Sequence, residues 1–142
     1  VKSEPKWLDR RALLLLHEES VATFGGASGL RDDGLLDSAL GRAPHQWHYD
    51  EAVDLAGLAA AYGYGLAKDH AFVDGNKRVA FLAVGLFLAI NGKRLRADQA
   101  DAIHTILNLA AGGLSETELA QWIRARIARR VIAQVIAHVA TK

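Results

Sequence analysis

Residues 70–78 read HAFVDGNKR, which sets a histidine, an acid, an asparagine, a lysine and an arginine around a phenylalanine and a glycine. An exposed loop has little need of Phe72, and a core segment tolerates Asp74, Lys77 and Arg78 poorly. If a helix begins near Asn76, its first N–H groups, from Gly75 to Arg78, have no partner within the helix. The dipole makes that end attractive to anions, phosphate above all. Gly75 allows close approach to the backbone. Lys77 adds a point charge and Arg78 a two-pronged grip on phosphate oxygens. Asp74 would repel bare phosphate, and its presence makes sense if Mg2+ lies between them, since that ion takes one or two carboxylates plus phosphate oxygens. A neutral His70 imidazole has the chemistry to take a proton from an attacking hydroxyl. Phe72 would pin the loop into the core. The stretch reads as a phosphoryl or nucleotidyl transfer site, in which catalysis is mostly positioning and charge stabilisation. Each feature alone is ordinary: a loop histidine is usually a surface group, and a D-G-N turn before a helix is common. Two cations in a first helical turn oppose the dipole, and that tips the reading toward an anion.

The elements around this stretch are expected to be helical, because Ala and Leu recur with helical and not strand-like spacing. Asp9 caps a first helix that Gly25-Gly26 ends. A short second helix, GLLDSALGR, ends near Pro44, and PHQWHYD is expected as an irregular aromatic loop or small hairpin. DLAGLAAAYGYGLAKDH forms a third helix whose glycines permit close packing at the centre, and NKRVAFLAVGLFLAI, apolar on nearly all faces, a fourth. A fifth runs roughly from Asp98 to Ala111. Ser115 and Glu118 form a capping box for a sixth that is expected to continue nearly to the end. The expectation is an all-α class, one domain over 1–142: a bundle of about six helices with its core at about 8–125 and a helical extension at 126–142.

Bulk composition fits this picture. The chain has 142 residues, 51% of them hydrophobic, a net charge of +1 and no cysteine. That length suits one domain, and the charge balance gives no general pull toward nucleic acid or an anionic membrane. Without cysteine there is no disulfide framework, thiol nucleophile or thiolate metal site. No secretory signal shows in VKSEPKW, and apolar runs are interrupted before a bilayer span, so a cytoplasmic protein is expected.

HAFVDGNKR resembles the signature of the Fic/Doc family, roughly H-x-F-x-[DE]-G-N-x-R, through His70, Phe72, Asp74, Gly75, Asn76 and Arg78. The likeness extends over roughly residues 8–125. LHEES in the first helix, GGASGLRDDGLLDSALGR leading to Pro44, and AAAYGYGLAKDHAFVDGNKRVAF resemble the death-on-curing (Doc) toxin subgroup. Fic adenylyltransferases usually have glycine at the position of Lys77, which leaves room for phosphates, and a second arginine at that of Phe81, which grips the terminal phosphate. Doc-type toxins share this chain's departures. They transfer the γ-phosphate of ATP, and their associated target is a threonine on translation elongation factor Tu.

The resemblance implies His70 as general base, Asp74 as Mg2+ ligand and orienter of the base, and Gly75 and Asn76 as the anion cradle. It implies Lys77 and Arg78 as phosphate binders and Phe72 as a structural anchor. Lys68, just upstream, is a further candidate for phosphate, against the simpler reading of a solvated helix-end lysine. His45, Trp47, His48 and Tyr49 fall where the family has a flap that aligns the target peptide, although loop aromatics are also often packing lids. AMP transfer, and a catalytically silent antitoxin-binding module, remain the rival functions.

Other features stand outside the motif. His17, mid-helix beside Leu16, is expected to make a core hydrogen bond. His104 and Asp101, three apart, read better as solvated polar residues than as a metal site. Many Fic proteins carry a self-inhibitory pattern like [ST]-x-x-x-E-[GN], and no Ser or Thr here has the required glutamate. The resemblance then implies an antitoxin similar to Phd, whose disordered C-terminal segment folds as a helix on the toxin. In the tail, Ile123, Ile127, Val131, Val135 and Val139 recur every four residues, with Arg124, Arg126, Arg129 and Arg130 among them. The reading is a longer final helix that packs on the bundle or joins two copies as a homodimer.

Overall fold

In the computed structural model, which describes residues 3–129, the site is carried by a central helical hairpin. Its arms are α3 (Leu55–Asp69) and α4 (Asn76–Ile90). Most residues of α3 are buried, and the helix packs most extensively on α4, on α2 (Asp33–Tyr49) and on α6 (Glu116–Arg124). Two glycines set that closeness. A Cβ at Gly63 would stand 2.8 Å from Val84 Cγ2, and one at Gly65 would stand 3.3 Å from the Ala39 Cα. α4 buries Val79, Ala80, Ala83, Val84, Phe87 and Leu88, so it is held on several sides, as its apolar sequence predicts. α1 (Arg10–Phe24) lies against α4, and α5 (Gln99–Ala110) touches both α3 and α4.

The expected cap at Asp9 and the capping box at Ser115 and Glu118 are present, and two further aspartates cap helices as well. Asp9, Asp32 and Asp54 each accept from an amide in the first turn of α1, α2 and α3, and Ser115 with Glu118 forms the capping box of α6. The class is all-α, with six helices among the described residues.

Two expectations fail. PHQWHYD is not a loop or hairpin, because α2 runs through Pro44 to Tyr49. Proline forfeits one backbone hydrogen bond there, at a cost of about 3 kcal/mol. Burial of Ala43 and an edge contact of Trp47 with Trp7, ring centres 6.3 Å apart, offset it. The second concerns the start of the helical extension expected at 126–142, as far as residue 129. α6 ends at Arg124, where the Arg126 guanidinium turns back to the Trp122 carbonyl (3.1 Å) and to Asp101 (3.0 Å). The chain then forms a strand, β2 (Ile127–Arg129), antiparallel to β1 (Lys93–Leu95), with Ile127 opposite Leu95. Residues 130–142, and with them the expected dimer helix, lie outside the described residues.

Candidate active site

α3 ends at Asp69, and His70 turns the chain in the left-handed region at φ 53°. It is the one non-glycine residue with positive φ among the described residues. Such a conformation costs roughly 1–2 kcal/mol, so neighbours must enforce it. Arg31 does so, its Nε donating to the His70 carbonyl at 2.8 Å. Arg31 and Asp32 also donate backbone N–H to the Ala71 carbonyl, and Val73 N–H donates to Gly29. Leu30 and Phe72 thereby form an antiparallel bridge. The segment after α1 is thus a splint along the motif.

Phe72 is buried at 2% exposure and stacks on His17, ring centres 3.8 Å apart. Asn76 closes the loop from inside: its Oδ1 accepts from Phe72 N–H and its Nδ2 donates to Phe72 O, both at 3.0 Å. Its side chain is therefore occupied by the loop, and what it offers an anion is its backbone N–H. His17 reaches from α1 to the Asp74 carbonyl, with Nε2 at 2.7 Å. Its expected core hydrogen bond is present, and the partner is the motif itself.

Asp74 is exposed. Its Oδ1 accepts from Gly75 N–H (2.8 Å) and its Oδ2 from Ala27 N–H (3.2 Å). Those two amides, with smaller contributions from Arg78 and His17, hold the carboxyl below its ordinary pKa. No hydrogen bond joins Asp74 to the His70 ring among the described residues, so the carboxylate is oriented by backbone and does not orient the base. Gly26 makes the close approach possible, since a Cβ there would lie 2.7 Å from Asp74 Oδ2, and its φ is +113°. Gly75, at φ 74°, begins α4 with no side-chain cap. Lys77 and Arg78 follow, both exposed. Arg78 rests its guanidinium 4.8 Å above the Phe24 ring.

These groups line one cavity of about 750 Å³, a size suited to a small-molecule ligand. His70, Asp74, Gly75, Asn76, Lys77 and Arg78 form its polar wall. Phe81 stands among them, in place of a cation. Opposite lie Ile103, Ile106 and Leu107 of α5, with Phe24 at the edge. Ile103, Leu107, Val73 and Phe24 are each more than half exposed, so the mouth has an apolar rim.

Two sets of expected residues lie elsewhere. The Lys68 ammonium stands 5.9 Å from the Tyr64 ring centre and beside Gly112, outside the cavity lining. Trp47, His48 and Tyr49 are at the end of α2, also outside the lining. Trp47 meets Trp7, which stacks on Phe87. Phe87 is about 16 Å along α4 from Asn76 at 1.5 Å per residue. The segment that runs along the motif is instead residues 25–32, through contacts of Ala27, Gly29, Leu30, Arg31 and Asp32. Sequence reading missed Gly26, Ala27, Arg31 and the α5 wall. The signal for the wall was there, in Ile103, Ile106 and Leu107 at i, i+3, i+4 spacing. Asp101 is engaged by Trp122 and Arg126, and no cluster of three or more potential metal-ligating side chains occurs among the described residues.

Comparison with known proteins identifies the family. The family model described as Fic/DOC family matches residues 7–88, more than half of the chain. The chain is 31% identical over 112 residues to "Protein kinase doc" of Escherichia phage P1, covering 79% of this chain and 88% of that protein. It is 43% identical over 109 residues to "Toxin Doc" of Mycolicibacterium smegmatis, covering 75% of this chain and 81% of that protein. With the HAFVDGNKR loop built between two buried helices and these matches spanning it, the chain belongs to the Fic/Doc family, in the Doc subgroup.

Proposed function

We propose that this chain is a Doc-like toxin enzyme that transfers the γ-phosphate of ATP to a hydroxyl on a protein target, a threonine of elongation factor Tu, and so blocks translation in the bacterial cytoplasm. The observation that carries this reading is the polar wall. A base, an ionised carboxylate, an uncapped helix start and two cations face one cavity.

His70 takes the proton of the attacking hydroxyl. The hydroxyl oxygen bonds to the γ-phosphorus, the bond to the β–γ bridging oxygen breaks, and ADP leaves. The Asn76 N–H, with Lys77 and Arg78, binds the phosphates and offsets developing charge, while the Gly75 N–H holds the Asp74 carboxylate. Asp74 fits Mg2+, being exposed and held ionised with lone pairs left over; one carboxylate plus phosphate oxygens is how that ion is commonly bound. When bound, Mg2+ neutralises phosphate charge. Phosphate transfer is favoured over AMP transfer by Lys77 and Phe81, which stand where Fic adenylyltransferases have glycine and a second arginine, so that Arg78 is the one arginine in the cavity lining among the described residues, and by the relative named as a protein kinase.

The relative named as a toxin supports a partner antitoxin. A Phd-like segment that folds on contact would cover the apolar rim of Phe24, Val73, Ile103 and Leu107. No described helix is long and apolar enough to cross a membrane. The test is label transfer from γ- and α-labelled ATP in parallel, with elongation factor Tu as acceptor and His70→Ala as control. Label from the γ position that needs His70 supports the proposal, and α-label would mean AMP transfer.

A further inference from the structure

His17 has no part in the chemistry above, yet it is 3% exposed and points at the motif. A carbonyl only accepts hydrogen bonds, so the 2.7 Å contact with the Asp74 oxygen requires the proton on Nε2. A buried imidazole is costly unless its polar atoms are paired, and a leucine would fill the same space. The contact therefore calls for an explanation beyond packing.

The peptide plane supplies it. In a trans peptide the C=O and N–H point in opposite directions. With the Asp74 carbonyl drawn inward to His17, the Gly75 N–H is turned outward, where it donates to the exposed Asp74 Oδ1 beside the cavity. Gly75 sits at φ 74° and, lacking a Cβ, has ready access to the other sign of φ. The residue that lets a ligand approach also makes this peptide easy to flip, which would turn the amide inward and a carbonyl outward. The Phe72 ring, stacked at 14° to the imidazole, fixes the ring's own orientation.

We propose that His17 is a positioning residue that locks the Asp74–Gly75 peptide with its N–H facing the cavity. This deepens the transfer reading, on which its effect on turnover rests, while the peptide lock itself does not depend on it.

The test uses His17→Phe, which keeps a stacking ring and removes the donor, and His17→Gln, which restores a donor. Two readouts are needed. The Gly75 amide, followed by nitrogen-15 relaxation dispersion without ligand, should show one conformer in the parent and His17→Gln, and exchange or a displaced resonance in His17→Phe. In the transfer assay, His17→Phe should lower kcat about ten- to a hundredfold, the usual cost of removing an orienting partner, with little change in KM for ATP. His17→Gln should recover most of it. If His17→Phe does not fold, long-range proton–nitrogen correlation on the parent reads the tautomer directly. Proton on Nε2 supports the lock, and proton on Nδ1 alone overturns it. An unchanged Gly75 amide in folded His17→Phe also overturns it. Absence of transfer by the parent would sink the transfer reading, yet the amide would still decide on His17.

Discussion

At the residue scale, the site is held in conformations that cost stability. His70 occupies the left-handed region as a non-glycine residue held by Arg31 at its carbonyl, and its side chain is exposed. Replacing it with glycine should remove the steric penalty while removing the proposed base. His70→Gly is thus expected to raise stability by about 0.5–1 kcal/mol, or about 2–4 °C in Tm, and to abolish transfer. A fall in Tm by calorimetry would show that the left-handed turn is unstrained. Gly26 is the opposite case. An alanine there meets Asp74 Oδ2 at 2.7 Å and must hold φ +113°. Gly26→Ala is expected to destabilise by about 1–3 kcal/mol and to slow transfer by displacing Asp74. Wild-type activity and Tm in that variant would mean that the carboxylate can retreat without loss.

At the element scale, sequence reading succeeded wherever a local signal decided the outcome. The caps at Asp9 and Ser115 and the stop at Gly25 are short-range chemistry, and they lie where expected. It failed where tertiary contacts outweighed a local signal. Pro44 marks a helix end by itself, yet α2 continues because Trp47 finds Trp7, 40 residues away in sequence. The tail's four-residue period favours a helix, yet Ile127 pairs with Leu95 in a strand. The motif was legible because its residues are contiguous. The splint of residues 25–32 was not, because Gly29, Ala27 and Arg31 act through main-chain contacts that side-chain types do not advertise. Arg31 gives a prediction at this scale. Arg31→Ala frees the His70 carbonyl, and transfer should fall tenfold or more while Tm changes little, because Arg31 is exposed. Equal proportional loss of Tm and activity would make Arg31 merely structural.

At the scale of the whole molecule, the far end of the bundle is tied down by Asp54. It caps α3 and takes both Nε (2.6 Å) and Nη2 (2.9 Å) of Arg124 from α6. The Arg124 hydrogen bond, chiefly, lowers the Asp54 pKa below its ordinary value of 3.8, against partial burial. A carboxyl with a depressed folded pKa contributes stability above its unfolded pKa and loses it as pH falls through the folded one. Asp54→Asn should therefore be less stable than the parent at neutral pH. The gap should close on acidification below 3.8. A gap that persists in strong acid, by denaturant titration, would assign the effect to the cap and not to the charge.

The transfer assay with position-labelled ATP tests the central claim most directly: purified chain, Mg2+, elongation factor Tu, and His70→Ala beside the parent. The account predicts that γ-label appears on the factor, that α-label does not, and that His70→Ala gives neither. Label from the α position would contradict it, since Lys77 and Phe81 would then not decide which phosphate is transferred.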